Sequence, residues 1–145
     1  MSRYDTLVKI LDELRKEAPT EYKTYYPEDI NTEGLNKARS KAFIHLFLKG
    51  MYGIERFEDR EHYITDGSYD GGIDAYYIDK ESKEIVFVQS KFRINEKNFE
   101  NKEIDYDELL SMDVDRVTEG EEIDEDGNSY NSKILKMQKE IKFNL

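Results

Sequence analysis

The sequence predicts an α/β fold, and three observations carry that prediction. Both ends of the 145-residue chain place apolar residues at helical spacing, the period changes after Gly53, and residues 73–92 are rich in β-branched and aromatic side chains. A mass of 17.2 kDa suits one domain, 1–145, with a single core. Hydrophobic residues make up 37% against 38% charged, yet 18 aromatics keep the chain out of the disordered class. No apolar run approaches the roughly 20 residues of a membrane span. The N-terminus, MSRYDTLVKILDEL, lacks the apolar core of a signal peptide. A cytoplasmic protein without a membrane partner is expected. The absence of cysteine excludes disulfides, thiolate zinc sites and a cysteine nucleophile.

The elements follow in order. Ser2 and Asp5 form a capping-box pattern ahead of a helix over 1–19, whose Leu7, Ile10, Leu11, Leu14 and Ala18 share a face until Pro19 stops it. A second helix is expected over 32–51, apolar nearly all round after two turns and so buried on more than one side. Residues 54–57 and 62–65 read as short strands, and DGSYDGG at 66–72 as a glycine-rich loop. Residues 73–78 and 85–92 read as strands joined by the turn-like DKESKE. Asp105 with Glu108 opens a helix with Leu109, Leu110, Val114 and Val117 inside and Gly120 past its end. EGEEIDEDGNS is an acidic loop, and 121–145 ends in an amphipathic helix that stops abruptly at Leu145. That stop predicts further domains downstream in a longer chain.

The formal charge of −11 is local: residues 96–126 hold fourteen acids and three bases, and the rest carries nineteen of each. A pI near 4.7 makes a poor match for a polyanion, an objection that the neutral remainder weakens. The acidic run reads as exposed surface.

The chemistry-bearing pattern is Asp70-Gly-Gly-Ile-Asp74 followed by Val88-Gln89-Ser90-Lys91. Residues two apart on a strand share a face, so Gln89 and Lys91 are expected on one side. A hairpin register with Ile78 opposite Ile85 sets Asp74 opposite Gln89, with Cβ atoms about 5 Å apart. A carboxylate, an amide oxygen and an ammonium then converge. Oxygen donors suit a hard cation such as Mg²⁺, and a cation beside a lysine suits hydrolysis of a phosphodiester. An EF-hand is the competing motif: Asp66, Ser68, Asp70, Gly71 and Asp74 match its positions 1, 3, 5, 6 and 9. Position 12, however, is Tyr77 where a bidentate glutamate is needed.

These residues carry a resemblance. ITDGSYDGGIDAYYID before VQSKF resembles the PD-(D/E)XK nuclease superfamily in its variant with glutamine at the second acid. It is similar to Mrr-type restriction endonucleases and to the N-terminal nuclease-like domains of bacterial abortive-infection phage-resistance proteins. The resemblance covers a core at 32–120 and implies a restriction-endonuclease-like fold, a small mixed sheet flanked by helices. It assigns Asp74 and Gln89 as metal ligands, the Ser90 carbonyl as a further oxygen, and Lys91 as the group that acts on the attacking water. The implied cofactor is Mg²⁺ (or Mn²⁺), and the implied partner is DNA. The departure is in the helix: many relatives carry a glutamate ligand there, and KARSKAFIHLFLKG has none. Glu33 or Glu55 could substitute, and Asp70 is a further candidate, although an aspartate in such a loop also serves the turn itself.

Lys37, Arg39, Lys41 and Arg93 are candidates for phosphate contact, or else a solvated face. His45 reads as a core or boundary histidine and His62 as solvent-facing; the tyrosine pairs 25–26 and 76–77 read as packing or as stacking platforms for bases. Two functions remain open. One is a divalent-metal-dependent endonuclease domain hydrolysing DNA in phage defence. The other is a catalytically weak or inactive nuclease-fold module that binds nucleic acid or a protein. The oligomeric state is open.

Overall fold

The computed structural model describes residues 1–145, which form two compact units. Unit 1 comprises Met1–His62 and Ser90–Glu103; unit 2 comprises Tyr63–Gln89 and Ile104–Leu145. The chain is mixed α/β, with seven α-helices and a two-stranded antiparallel sheet. No helix is long and apolar enough to cross a membrane.

In unit 1, helix α1 (Arg3–Leu14) starts at the expected capping box. Ser2 Oγ accepts from the Asp5 N–H at 3.0 Å, and Asp5 Oδ2 accepts from the Ser2 N–H at 3.2 Å. A 3₁₀ turn, Arg15–Glu17, carries the chain to Pro19. Helix α2 (Thr32–Tyr52) is capped by Asn31, whose Oδ1 accepts from the Gly34 N–H at 2.9 Å. It closes at Gly53, whose φ of 65° is left-handed backbone that glycine adopts without a Cβ clash. Its Ala38, Ala42, Ile44, His45 and Leu48 are buried, as its all-round apolarity required. Residues 90–103 belong to this unit through aromatic contacts: Phe92 packs against Tyr4 and Phe43, and Phe99 packs against Tyr4 in a tilted pair at 5.6 Å. Asn95 caps a short helix there, α4 (Glu96–Asn101), inside the acidic run.

The strand expected at 54–57 does not form. Residues 54–56 are irregular, and Phe57–His62 is a helix, α3. The reason is tertiary: Arg60 is fully buried, and its guanidinium satisfies the carbonyls of Ile54 and Glu55, closing the segment back on itself.

Unit 2 is built on the hairpin of β1 (Ala75–Asp79) and β2 (Glu84–Val88). Its register sets Ala75 opposite Val88 and Ile78 opposite Ile85. Residues 63–65 run antiparallel beside β1 through a single bridge, Ile64 to Ala75, flanked by Tyr76 N–H to Tyr63 O at 3.0 Å and Thr65 N–H to Asp74 O at 2.9 Å. The expected small mixed sheet is thus an antiparallel hairpin with one bridging residue. No parallel neighbour exists because the chain after β2 leaves for unit 1 instead of crossing over.

The single helix expected from Asp105 is two short ones, α5 (Tyr106–Leu110) and α6 (Val114–Thr118). Asp113 breaks it: its N–H donates to Gly71 O at 2.8 Å and its carboxylate accepts from the Tyr130 hydroxyl at 2.7 Å. Val117 is buried as expected, whereas Leu109 and Leu110 are exposed. Helix α7 (Ser132–Asn144) completes the unit. Its Ile134 and Met137 join Ile73, Tyr76, Ile78, Val117 and Tyr130 in one buried core. The Tyr76 hydroxyl, pushed upward in pKa by burial and by Glu140, donates to that carboxylate from within the core.

Candidate functional site

Backbone bonding in unit 2 shapes the 65–74 loop. The Asp74 carbonyl accepts from the N–H groups of Thr65 and Asp66, and the Asp74 N–H donates to Val88 O at 2.8 Å, so Asp74 is clamped between the bridge residue and the hairpin. Asp70 closes the loop on itself, its carboxylate accepting from the Gly67 and Gly72 N–H groups at 3.2 and 2.9 Å. Gly71 is required twice over. Its φ is 65°, and a Cβ there would lie 3.0 Å from the Tyr130 ring. Tyr69 takes left-handed backbone, φ 58°, which a bulky residue adopts only when its surroundings impose it. Here the Asn131 N–H holds the Tyr69 carbonyl, while the Asn131 amide reaches Thr65 O and Ser68 O. The N-terminus of α7 is thereby tied to the loop.

The result is a group of three half-buried aspartates, Asp66, Asp70 and Asp74, with one carboxylate oxygen of each within 4.8 Å of the others. Three carboxylates this close gather negative charge and oxygen donors in one place. Gln89 carries a buried polar atom of its own. Its Nε2 donates to Gly72 O at 3.4 Å, but its Oε1 is buried without any donor, which is costly for an amide oxygen. Carboxylates and an amide oxygen form a hard donor set that suits Mg²⁺, Mn²⁺ or Ca²⁺. The residues present therefore fit a divalent cation. A strand, β1, and not a helix follows the loop, as the missing position-12 glutamate implied.

The remaining candidates belong to unit 1. Strand β2 ends at Val88, so the alternation that argued for Gln89 and Lys91 on one face does not extend to Lys91; Ser90 and Lys91 belong to unit 1. Glu33 is exposed in the first turn of α2, 3.7 Å from Lys37. Arg39 is not available to a phosphate, because it grips Asp12 through two bonds of 3.0 and 2.8 Å. Burial works against the charge on Asp12, but the bonds from Arg39 and Arg15 outweigh it and hold its pKa below the ordinary carboxylate range. Lys41 is half-buried on α2 and helps keep Glu61 ionised. Arg93 donates to Glu103 O at 3.1 Å.

Unit 1 holds a second polar cluster that the sequence did not reveal. Arg60 Nε donates to His45 Nδ1 at 2.9 Å, and one of its terminal nitrogens reaches Glu17 at 2.8 Å. His45 Nε2 lies 2.8 Å from Glu61, which also accepts from the Tyr25 hydroxyl at 2.5 Å. Phe57 stacks on the His45 ring at 4.6 Å. Since Nδ1 accepts a bond, the ring proton sits on Nε2 and His45 is neutral. The sequence reading of His45 as a core histidine agrees with its 1% exposure. Only the pairing of a histidine with an arginine on a short polar helix could have signalled the cluster, and neither residue has a distinctive spacing.

This cluster makes unit 1 acid-labile. Burial holds the His45 pKa below its ordinary value despite the pull of Glu61, so the folded state binds fewer protons there than the unfolded chain. The stability it contributes is present above about pH 6.5 and is lost as pH falls below that value. Glu61 and Glu17 are also lowered: burial opposes this, but bonds from His45 and Tyr25, and from Arg60 and Lys49, prevail. Their contribution disappears at lower pH, through the carboxylate range. The expected result is a urea midpoint, read by far-UV circular dichroism, that falls from pH 7.5 to 5.5 and again below about pH 4.5. A flat profile above pH 5 would show that His45 titrates alike in both states.

No protein-family model matches the chain, and neither a curated protein nor a solved structure matches it.

Proposed function

We propose that the chain is a divalent-metal-dependent endonuclease domain of the PD-(D/E)XK type that hydrolyses DNA phosphodiester bonds in bacterial phage defence. The observation that carries the reading is the donor set in unit 2: clustered carboxylates beside a strand and a buried amide oxygen without a donor, within the sequence pattern that resembles this superfamily. The order α2, bridge, β1, β2 and further helices supports the finer reading of a restriction-endonuclease-like core.

Asp74 and Gln89 hold Mg²⁺ or Mn²⁺, with Asp66 and Asp70 adding negative charge. When bound, the ion supplies the positive charge that polarises a phosphodiester oxygen and a water. Asp74 is rigidly placed, because both of its backbone polar groups are bonded within the hairpin and bridge. Asp70 keeps the loop closed while leaving lone pairs over. Gln89 brings no charge, so binding is weaker than with a second carboxylate, and Mn²⁺, which binds oxygen and nitrogen sites more tightly, supports more activity than Mg²⁺. Lys91 carries the role of handling the attacking water on sequence spacing alone.

A Mn²⁺ titration with a nicking assay on supercoiled DNA tests the reading. Wild type should bind Mn²⁺ and nick. Lys91→Ala should bind Mn²⁺ equally and not nick, and Gln89→Glu should bind it as tightly or more so. Wild type that binds the ion and leaves DNA intact would replace this reading with that of a binding module, which the −11 charge favours. Wild type that takes up no ion would end the metal assignment.

A further inference from the structure

Unit 2 carries eighteen acids and seven bases, whereas unit 1 is balanced at fifteen of each. Four of those seven bases, Lys133, Lys136, Lys139 and Lys142, fall on α7 at three-residue intervals, and all four are exposed. Successive lysines rise about 4.5 Å along the axis and turn by about 60°, so the row crosses the outward face obliquely. The opposite face is fixed in the core through Ile134 and Met137, which leaves α7 no freedom to roll. The side chains of Lys136, Lys139 and Lys142 have no hydrogen-bond or ion-pair partner, although the unit is rich in carboxylates. The one acid on the helix, Glu140, is engaged by the Tyr76 hydroxyl.

A solvated helix face accounts for lysines but not for Phe143, which is 88% exposed. By helical position Phe143 projects between Lys136 and Lys139, about 6 Å further along the axis than Lys139. Cations flanking a bare aromatic ring combine the two contacts that single-stranded nucleic acid offers, phosphate and base face. Glu119 and Glu122 border the same groove as Lys139 and Lys142, so acidic charge meets the row on that flank, and the open flank is that of Lys136 and Phe143. The helix also begins at the aspartate loop, to which Asn131 ties it.

We propose that the outward face of α7 binds single-stranded nucleic acid, with Lys136 and Lys139 on phosphates and Phe143 stacked against a base. The choice of ligand rests on the nuclease reading. This surface takes the place of Arg39, which Asp12 occupies.

The test is fluorescence anisotropy of a labelled oligothymidylate with the full chain in EDTA, where no cleavage intervenes. The charge-reversal pair Lys136→Glu with Lys139→Glu should weaken binding at least about tenfold and flatten its salt dependence, since each phosphate contact on a single strand contributes about 0.7 to the slope. Phe143→Ala should weaken it about five- to tenfold with the slope unchanged, and Phe143→Tyr should restore it. Far-UV circular dichroism checks that these exposed changes leave the fold intact. Because binding is read in EDTA, the surface stands or falls separately from the nuclease reading, which the Mn²⁺ and nicking assays decide. Wild type that fails to bind the oligothymidylate would overturn the proposal. So would variants that match wild type, or a duplex bound as tightly as the single strand.

Discussion

Replacing Arg60 with alanine is expected to destabilise unit 1 by about 3–5 kcal/mol, the cost of removing one partner from a buried charged cluster. The guanidinium is fully buried and serves four acceptors on three segments: His45 Nδ1, the Glu17 carboxylate, and the carbonyls of Ile54 and Glu55. Truncation leaves those acceptors without their donor, and a cavity besides. Arg60→Lys should recover little, because one ammonium cannot span the fork that reaches α2, the 3₁₀ turn and the segment before α3. Urea unfolding followed by far-UV circular dichroism is the measurement, as the chain has no tryptophan. A loss below about 1 kcal/mol would mean that α3 is held by Phe57 packing and not by the guanidinium. With total stabilities of about 5–15 kcal/mol, the expected loss leaves unit 1 close to unfolding.

Asp74→Ala is expected to abolish Mn²⁺ uptake and to reduce nicking at least about a thousandfold. Alanine keeps the backbone N–H and carbonyl by which residue 74 holds the loop to the hairpin, and removes the carboxylate from the aspartate group. Asp70 also shapes the loop. Its carboxylate bonds two loop N–H groups, so Asp70→Ala should lower the urea midpoint as well as metal affinity. Equal nicking by wild type and Asp74→Ala would remove the aspartate loop from the chemistry.

The parts of the fold legible in the sequence are those encoded locally. Ser2 and Asp5 form their capping box from residues three apart, and the hairpin register follows from the 79–84 turn and the alternation of Ile78 and Ile85. The long α2 announces itself by apolar residues on every side. The tight grouping of Asp66, Asp70 and Asp74 was only half legible. Their spacing suggested a calcium loop, but it took the bonds from Asp70 to Gly67 and Gly72, and from Asn131 to Thr65 and Ser68, to draw the carboxylates together. Leu109 and Leu110 face solvent for the same kind of reason. A helical period on paper assumes an uninterrupted helix, and Asp113 ends it by bonding Gly71 and Tyr130, which lie far from it in the chain.

The sequence alone determined the mixed α/β class, the hairpin that sets Asp74 beside the strand pair, and the localisation of the acidic charge, because each depends on near neighbours or on composition. The tertiary structure alone decided that 57–62 is a helix, that Arg39 belongs to Asp12, that His45 is neutral within a buried cluster, and that Lys136, Lys139 and Lys142 point outward from α7. Those outcomes hinge on single long-range partners for charged groups. A guanidinium or carboxylate in a sequence carries no mark of the partner it will find, and the cost of burying it unpaired makes that partner decisive.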